Sequence, residues 1–214
     1  MKKVVLMTAF IAIVMTGQSQ SLEKMTWFNE PGNWSIEKGK LQMDVTPQSD
    51  YWRNTRHGFV VDDAPFYYTE RGGEFEVVVK VTGEYKTRFD QMGLMLRVDE
   101  KHWLKSGIEY VNGKMNFSAV ITNENSNWSI IPLESNPKSI WIKAIREKDA
   151  VEISYSTDGK NFIVSNEVYL PQHRPVKVGL MAASPDGEGF NALFEDFKIS
   201  HHPDKVRLEW LNQQ

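Results

Sequence analysis

Along Trp103-Leu-Lys105-Ser-Gly-Ile-Glu109, an indole, an ammonium and a carboxylate recur at odd positions. If the segment is extended, these side chains leave the backbone on one side, because successive strand residues point to opposite faces. Leu104 and Ile108 take the other side, toward a core. The same parity in Asp90–Arg97 turns Leu94 and Leu96 inward and Gln91, Gly93, Met95 and Arg97 outward. In the next run Phe117, Ala119 and Ile121 point inward, and Asn116, Ser118, Val120 and Thr122 outward. Paired as a meander, the three runs present one surface of amide, guanidinium, indole, ammonium and carboxylate groups. That is the chemistry of sugar recognition, in which a ring stacks on C–H faces while planar polar groups bind hydroxyls in pairs. The alternative is a solvated sheet face, where a Lys–Glu pair contributes little. An indole left in water usually has a use.

Two further clusters join the candidates. Trp52 and Arg53 follow Asp50, and Trp128 stands between Asn127 and Ser129. Trp52, Trp103 and Trp128 on one hollow would make a stacking platform, with Gln91, Arg53, Asn127, Lys105 and Glu109 as hydrogen-bonding groups. Trp52 serves equally well as filler at a sheet edge, tryptophan being mostly buried on average. Lys105 and Glu109 are expected to neighbour each other in the hollow. A Lys–Glu pair in a partly dry cleft can move protons, with Glu109 as acid/base and Lys105 assisting. Glycoside hydrolysis needs a second carboxyl about 5–5.5 Å away, or roughly 6.5–9.5 Å for inversion. Glu30, Asp50 and Asp90 are the available partners.

The elements that must hold these groups are short strands. Phe75, Val77, Val79 and Val81 alternate, and further runs cover Ile140–Ile145, Val151–Tyr155, Val176–Ala182 and Ala192–Ile199. Asn112-Gly113, Asn136-Pro137, Asp158-Gly159 and Pro185-Asp-Gly187 punctuate them with turn chemistry. This spacing predicts an all-β, two-sheet antiparallel sandwich rather than alternating helices and strands. Ser156–Phe162 reads as a hairpin around Asp-Gly. Only Asp204–Leu211 reads as a short C-terminal helix.

At the N-terminus, Met1-Lys2-Lys3 precedes an apolar run, Val4–Met15, that ends near Gly17-Gln-Ser19. This is the layout of a cleaved signal peptide over residues 1–19, leaving one sandwich domain over 20–214. The run is too short to cross a bilayer core, which needs roughly 20 residues. The expected product is secreted or periplasmic, with no membrane attachment after cleavage.

The 214 residues carry a net charge of −3, are 41% hydrophobic and contain no cysteine. Disulfides, thiolate metal sites and cysteine nucleophiles are thereby excluded, and no basic footprint points to nucleic acid. The five histidines lack metal-ligand spacing. Asp62-Asp63 has no following series of oxygen ligands and reads as a solvated turn rather than a calcium loop. Phosphate-loop and Gly-x-Ser-x-Gly motifs are absent. No metal or cofactor is expected, and the partner expected is a carbohydrate.

A series of short motifs adds a family resemblance: Trp27-Phe-Asn-Glu-Pro31 with Trp34, Asp50-Tyr-Trp-Arg53, Asp90-Gln-Met-Gly-Leu94 and Trp103 through Glu109. Ser126-Asn-Trp-Ser129, Val178-Gly-Leu180 through Ala183-Ser-Pro185, and Phe194-Glu-Asp-Phe197 complete it. In this order, over roughly Met25 to Ser200, the chain resembles the DUF1349 group, also labelled "regulation of enolase". That group is similar in fold to concanavalin A-like lectins and glucanases. The resemblance implies a jelly roll of two curved sheets with a concave face able to hold a ligand. It implies no particular reaction. Asn127 stands where the family commonly has aspartate, which removes a carboxylate, and Ala183 where it often has cysteine, which concerns packing. A protein-binding regulator, as the label suggests, fits poorly with export.

Overall fold

The computed structural model describes residues 22–172 and 174–202. The expected export segment and the expected helix at Asp204–Leu211 lie outside the described residues. After a short 3-10 turn at Leu22–Lys24 come β1 (Thr26–Phe28), β2 (Trp34–Glu37), β3 (Lys40–Asp44), β4 (Tyr51–Arg53), β5 (Val60–Asp62) and β6 (Phe66–Arg71). Then follow β7 (Phe75–Gly83), β8 (Gln91–Arg97), β9 (His102–Val111), β10 (Lys114–Asn123) and β11 (Asn125–Pro132). The series ends with β12 (Ile140–Glu147), β13 (Ala150–Ser156), β14 (Ile163–Tyr169), β15 (Val176–Ala183) and β16 (Asn191–His201).

These strands form the expected two-sheet antiparallel sandwich. One seven-stranded sheet runs β1-β6-β15-β8-β9-β10-β11 and the other β14-β13-β12-β7-β16-β3-β2. Alternation is the reason: β7 buries Phe75, Val77, Val79 and Val81 and half-buries the residues between them. The buried members meet Leu94, Leu96, Leu104, Ile108 and Phe117 of the first sheet in one apolar layer. The turn after β13 joins it to antiparallel β14, as the Asp-Gly pair predicts, with Gly159 at φ +71°. Asp158 accepts the backbone N–H groups of Lys160 and Asn161 there. These bonds hold its carboxyl well below the usual carboxylate range.

Among the described residues, the short strands β4 and β5 pair only with each other. They form a hairpin lying over the face of the first sheet that points away from the core. A second apolar cluster fills the space beneath it. This arrangement positions the site.

Candidate functional site

The floor is the predicted meander. In β8 and β9, Gln91 pairs with Glu109, Gly93 with Gly107, Met95 with Lys105 and Arg97 with Trp103. In β9 and β10, Glu109 pairs with Asn116, Gly107 with Ser118 and Lys105 with Val120. Trp128 of β11 pairs with Val120. The expected parity holds: Leu104 and Ile108 enter the layer between the sheets, whereas Trp103, Met95 and Val120 pack on the opposite side. Gly93 and Gly107 face each other at the centre. A Cβ on Gly107 would lie 2.0 Å from the Met92 carbonyl oxygen, and one on Gly93 2.0 Å from that of Ser106. Only residues without a side chain allow the two backbones to pass this closely. A small pit of about 10 Å³, room for one water-sized group, opens among Gln91, Lys105, Gly107, Ser118 and Met181.

The hairpin divides this face. Arg97 holds Asp62 with two parallel bonds of 2.7 and 2.6 Å, a geometry only guanidinium provides. Its guanidinium also lies over the rings of Phe28 and Tyr51. Tyr51, fully buried, meets Trp103 edge-on at 6.0 Å and donates its hydroxyl to the Ala64 carbonyl at 2.6 Å. Burial pushes the Tyr51 phenol far up. At the far side the Arg53 backbone N–H donates to Ser126 Oγ at 2.9 Å, and Asn54 bonds Asn125. The half of the face bearing Arg97, Trp103 and Thr122 is thereby sealed. Trp103 occupies the predicted face yet is only 2% exposed. Its expected place in an open stacking platform is corrected here, because the hairpin covers it.

Beyond the hairpin the floor residues Gln91, Lys105, Glu109 and Ser118 are also buried, the small pit opens among Gln91, Lys105 and Ser118, and the charged groups lie beside it. Lys105 Nζ donates to Asp50 Oδ1 at 2.6 Å from a nearly sealed position. Glu109 is 4% exposed and accepts the Trp128 indole N–H on Oε2 at 2.7 Å. Burial pushes the Glu109 carboxyl up, against the hydrogen bonds from Ser118 and Trp128 and the nearby Lys105 charge; Asp50 adds to the rise. Lys105 thus has a carboxylate partner at its ammonium and a second carboxyl within electrostatic reach. Of the acids available to Glu109, Asp50 is the one the fold brings to this cluster. Asp90 is sealed into the β7–β8 loop, accepting from the backbone of Lys86 and Thr87 and from Ser184. Glu30 accepts the Trp34 indole N–H.

The remaining candidates separate. Trp128 is 42% exposed and stands above the buried floor. Gln91 is buried in the floor, bonded to the Phe89 carbonyl. Trp52 and Arg53 belong to the hairpin: the Trp52 indole donates to Thr55 O, and Arg53 Nε to Glu124 O. Asn127 pairs with Ile121 rather than Val120. It leaves β11 on the side opposite Trp128 and does not join the cleft.

Phe89 is not visible from the sequence pattern. It sits at φ +67°, a region that bulky residues rarely occupy. Its backbone N–H bonds Tyr110 O at 2.7 Å. There its ring meets Trp128 edge-on at 6.2 Å and carries the Arg88 guanidinium at 4.2 Å on a face. Phe89 and Trp128 form an aromatic corner above Glu109. Among the described residues no group of three or more His, Asp or Glu is placed to hold a metal.

Fold and site together define a two-sheet β-sandwich whose polar outer face is covered on one side by a hairpin and carries, on the other, a small pit beside an aromatic corner. The chain belongs to the family described as protein of unknown function DUF1349, whose model matches residues 27–202. It is 32% identical over 187 residues to Regulation of enolase protein 1 of Saccharomyces cerevisiae, covering 87% of this chain and 94% of that protein. A crystal structure of a functionally unknown S. cerevisiae protein superposes with a TM-score of 0.83 at 33% identity, covering 86% of this chain and all of that one. More distant likeness, at the level of fold, extends to the GH43 protein BlXynB of Bacillus licheniformis (TM-score 0.67, 17% identity, covering 86% of this chain and 39% of that one). It also extends to the carbohydrate binding module CBM66 of Bacillus subtilis (TM-score 0.51, 17% identity, covering 83% of this chain and 97% of that one).

Proposed function

We propose that the protein binds carbohydrate on the outer face beyond the hairpin, against the exposed ring of Trp128 as the stacking platform, with Gln91, Lys105 and Glu109 as the polar floor around the pit beside it. One observation carries this reading. Trp128 keeps its ring exposed while its N–H is bonded to a buried carboxylate, so the indole is fixed in orientation and offers its apolar face. A ring held this way loses little further entropy on stacking, which is how preorganisation strengthens binding. Phe89 closes one side, and the pit over Gly107 admits a single hydroxyl-sized group. The carbohydrate binding module among the structures of similar fold supports this ligand class. A broad array of neutral and acidic glycans, probed with wild type and Trp128→Ala, tests the reading. Selective binding lost in the variant supports it, and silence across the array refutes it.

A second reading uses the same cleft for glycan cleavage, and the raised Glu109 carboxyl beside Lys105 favours it. A carboxyl that holds its proton to higher pH than an ordinary glutamate is better placed to donate it to a leaving oxygen. Product analysis on polysaccharide libraries with wild type and Glu109→Gln decides: turnover lost in the variant supports catalysis, whereas unchanged turnover removes Glu109 from that role. Both readings go with export of the mature protein beyond the inner membrane. Fractionation with N-terminal sequencing of the product checks this, and an intact Met1 on cytosolic protein would contradict it.

A further inference from the structure

We propose that the pocket at the loop end of the sandwich, between the end of β3 and the start of β16, is a second carbohydrate subsite that takes the hydroxyls of a neutral sugar. The inference rests on the glycan reading above but on different residues. The pocket encloses about 450 Å³, within the roughly 300–1,000 Å³ range of small-molecule sites. Its floor is apolar, with Phe190 3% and Val45 2% exposed.

Its polar groups are held in place by one another. Asp44 accepts from Asn33 Nδ2 at 3.4 Å on one oxygen and from Asn191 Nδ2 at 3.2 Å on the other. Asn191 Oδ1 in turn accepts from Gln42 Nε2 at 3.1 Å. Each amide donates one N–H within this network and keeps a second, while the carboxylate retains unused lone pairs. Two amides flanking one carboxylate present planar donors and acceptors side by side, the arrangement that pairs with neighbouring hydroxyls. Lys86 and Glu188 on the wall offset each other's charge and leave Asp44 in excess. That balance disfavours an anionic ligand and suits an uncharged one rich in O–H donors.

One loop reaches both the pocket and the cleft. The β7–β8 loop contributes Lys86 to the pocket and Phe89 to the aromatic corner. Asp90 staples that loop through bonds of 2.7 and 2.8 Å to the Lys86 and Thr87 backbone N–H groups.

The test is a titration of ¹⁵N-labelled mature protein with cellotetraose, xylotetraose and mannotetraose, and separately with calcium chloride alone. The amides of Val45, Gly189 and Asn191 report the pocket, and the Trp128 indole reports the cleft. Saturable movement of the pocket amides with a sugar, weakened about tenfold or more in Asp44→Asn as for loss of a charged hydrogen-bond partner, supports the inference. Movement of the Trp128 indole with silent pocket amides overturns it while leaving the cleft reading intact. Pocket movement with a silent indole supports the pocket and refutes the cleft. Pocket amides that respond to calcium and to none of the sugars overturn the sugar assignment. The wild-type titration is decisive even if the variant fails to fold.

Discussion

Replacing Asp50 with alanine tests how the hairpin is seated. Lys105 donates to Asp50 at 2.6 Å with only 4% of its side chain exposed, whereas the Asp50 side chain is 19% exposed. A solvent-exposed ion pair contributes about 0–1 kcal/mol, but removing one partner from a buried pair costs about 3–5 kcal/mol because the remaining charge is stranded. Lys105 falls in the second regime, and the partial exposure of Asp50 sets the expected cost of Asp50→Ala at the lower end, about 3 kcal/mol. For a domain of this size that lowers Tm by about 6–12 °C. Lys105→Met is expected to cost less, about 1 kcal/mol, since it leaves a carboxylate that reaches water and fills the buried stem with a side chain of similar shape. In the double variant the Asp50 cost largely disappears, a coupling of about 2 kcal/mol. Urea denaturation of the four proteins measures each term of the cycle. A cost below 1 kcal/mol for Asp50→Ala, or additive single effects, would refute the burial argument and the hairpin's role as a seal.

Three further outcomes follow from the same geometry. Trp103→Ala should cost about 3–5 kcal/mol as a sealed core deletion while Trp128→Ala, at the exposed rim, should cost less, about 1–2 kcal/mol, for the hydrogen bond it withdraws from buried Glu109; thermal unfolding separates the structural indole from the binding one. Gly107→Ala should destabilise by about 3 kcal/mol, because its Cβ would lie 2.0 Å from the Met92 carbonyl oxygen, and a near-neutral result would contradict the close approach of β8 and β9. Glu109 is raised above its unfolded value, so the folded state binds its proton more tightly, and this contribution is complete below the unfolded pKa and lost as pH rises through the folded one. Glu109→Gln should therefore unfold at a temperature equal to or above wild type near pH 7, the gap closing toward pH 4; a variant less stable at neutral pH would reverse the sign.

Much of this is legible in the chain because strand periodicity is local. Leu94, Leu96, Leu104, Ile108 and Phe117 declare the core side of three consecutive strands, so the outward set of Gln91, Lys105 and Glu109 follows by elimination. What covers that outward face is not legible. Tyr51–Arg53 and Val60–Asp62 are too short to show alternation, and their contacts with Arg97, Lys105 and Ser126 span tens of residues. An indole on the non-core side therefore reads as exposed at both Trp103 and Trp128, is exposed only at Trp128, and nothing in the local pattern separates the two. Asn127 reads as a site residue because it adjoins Trp128, yet adjacency along a strand puts neighbours on opposite faces. Phe89 escapes notice because its place depends on a positive φ, and no phenylalanine advertises that conformation in sequence.

Sugar binding on the outer face beyond the hairpin, against Trp128 and above Glu109, is what the proposed function stands on. A crystal structure of the protein with the strongest ligand from the glycan array would examine it at the level of atoms. The expected complex has a sugar ring stacked on the Trp128 indole, with hydroxyls within hydrogen-bond distance of Glu109 and Gln91. A sugar bound only on the outer face of the opposite sheet, with Trp128 untouched, would overturn the assignment.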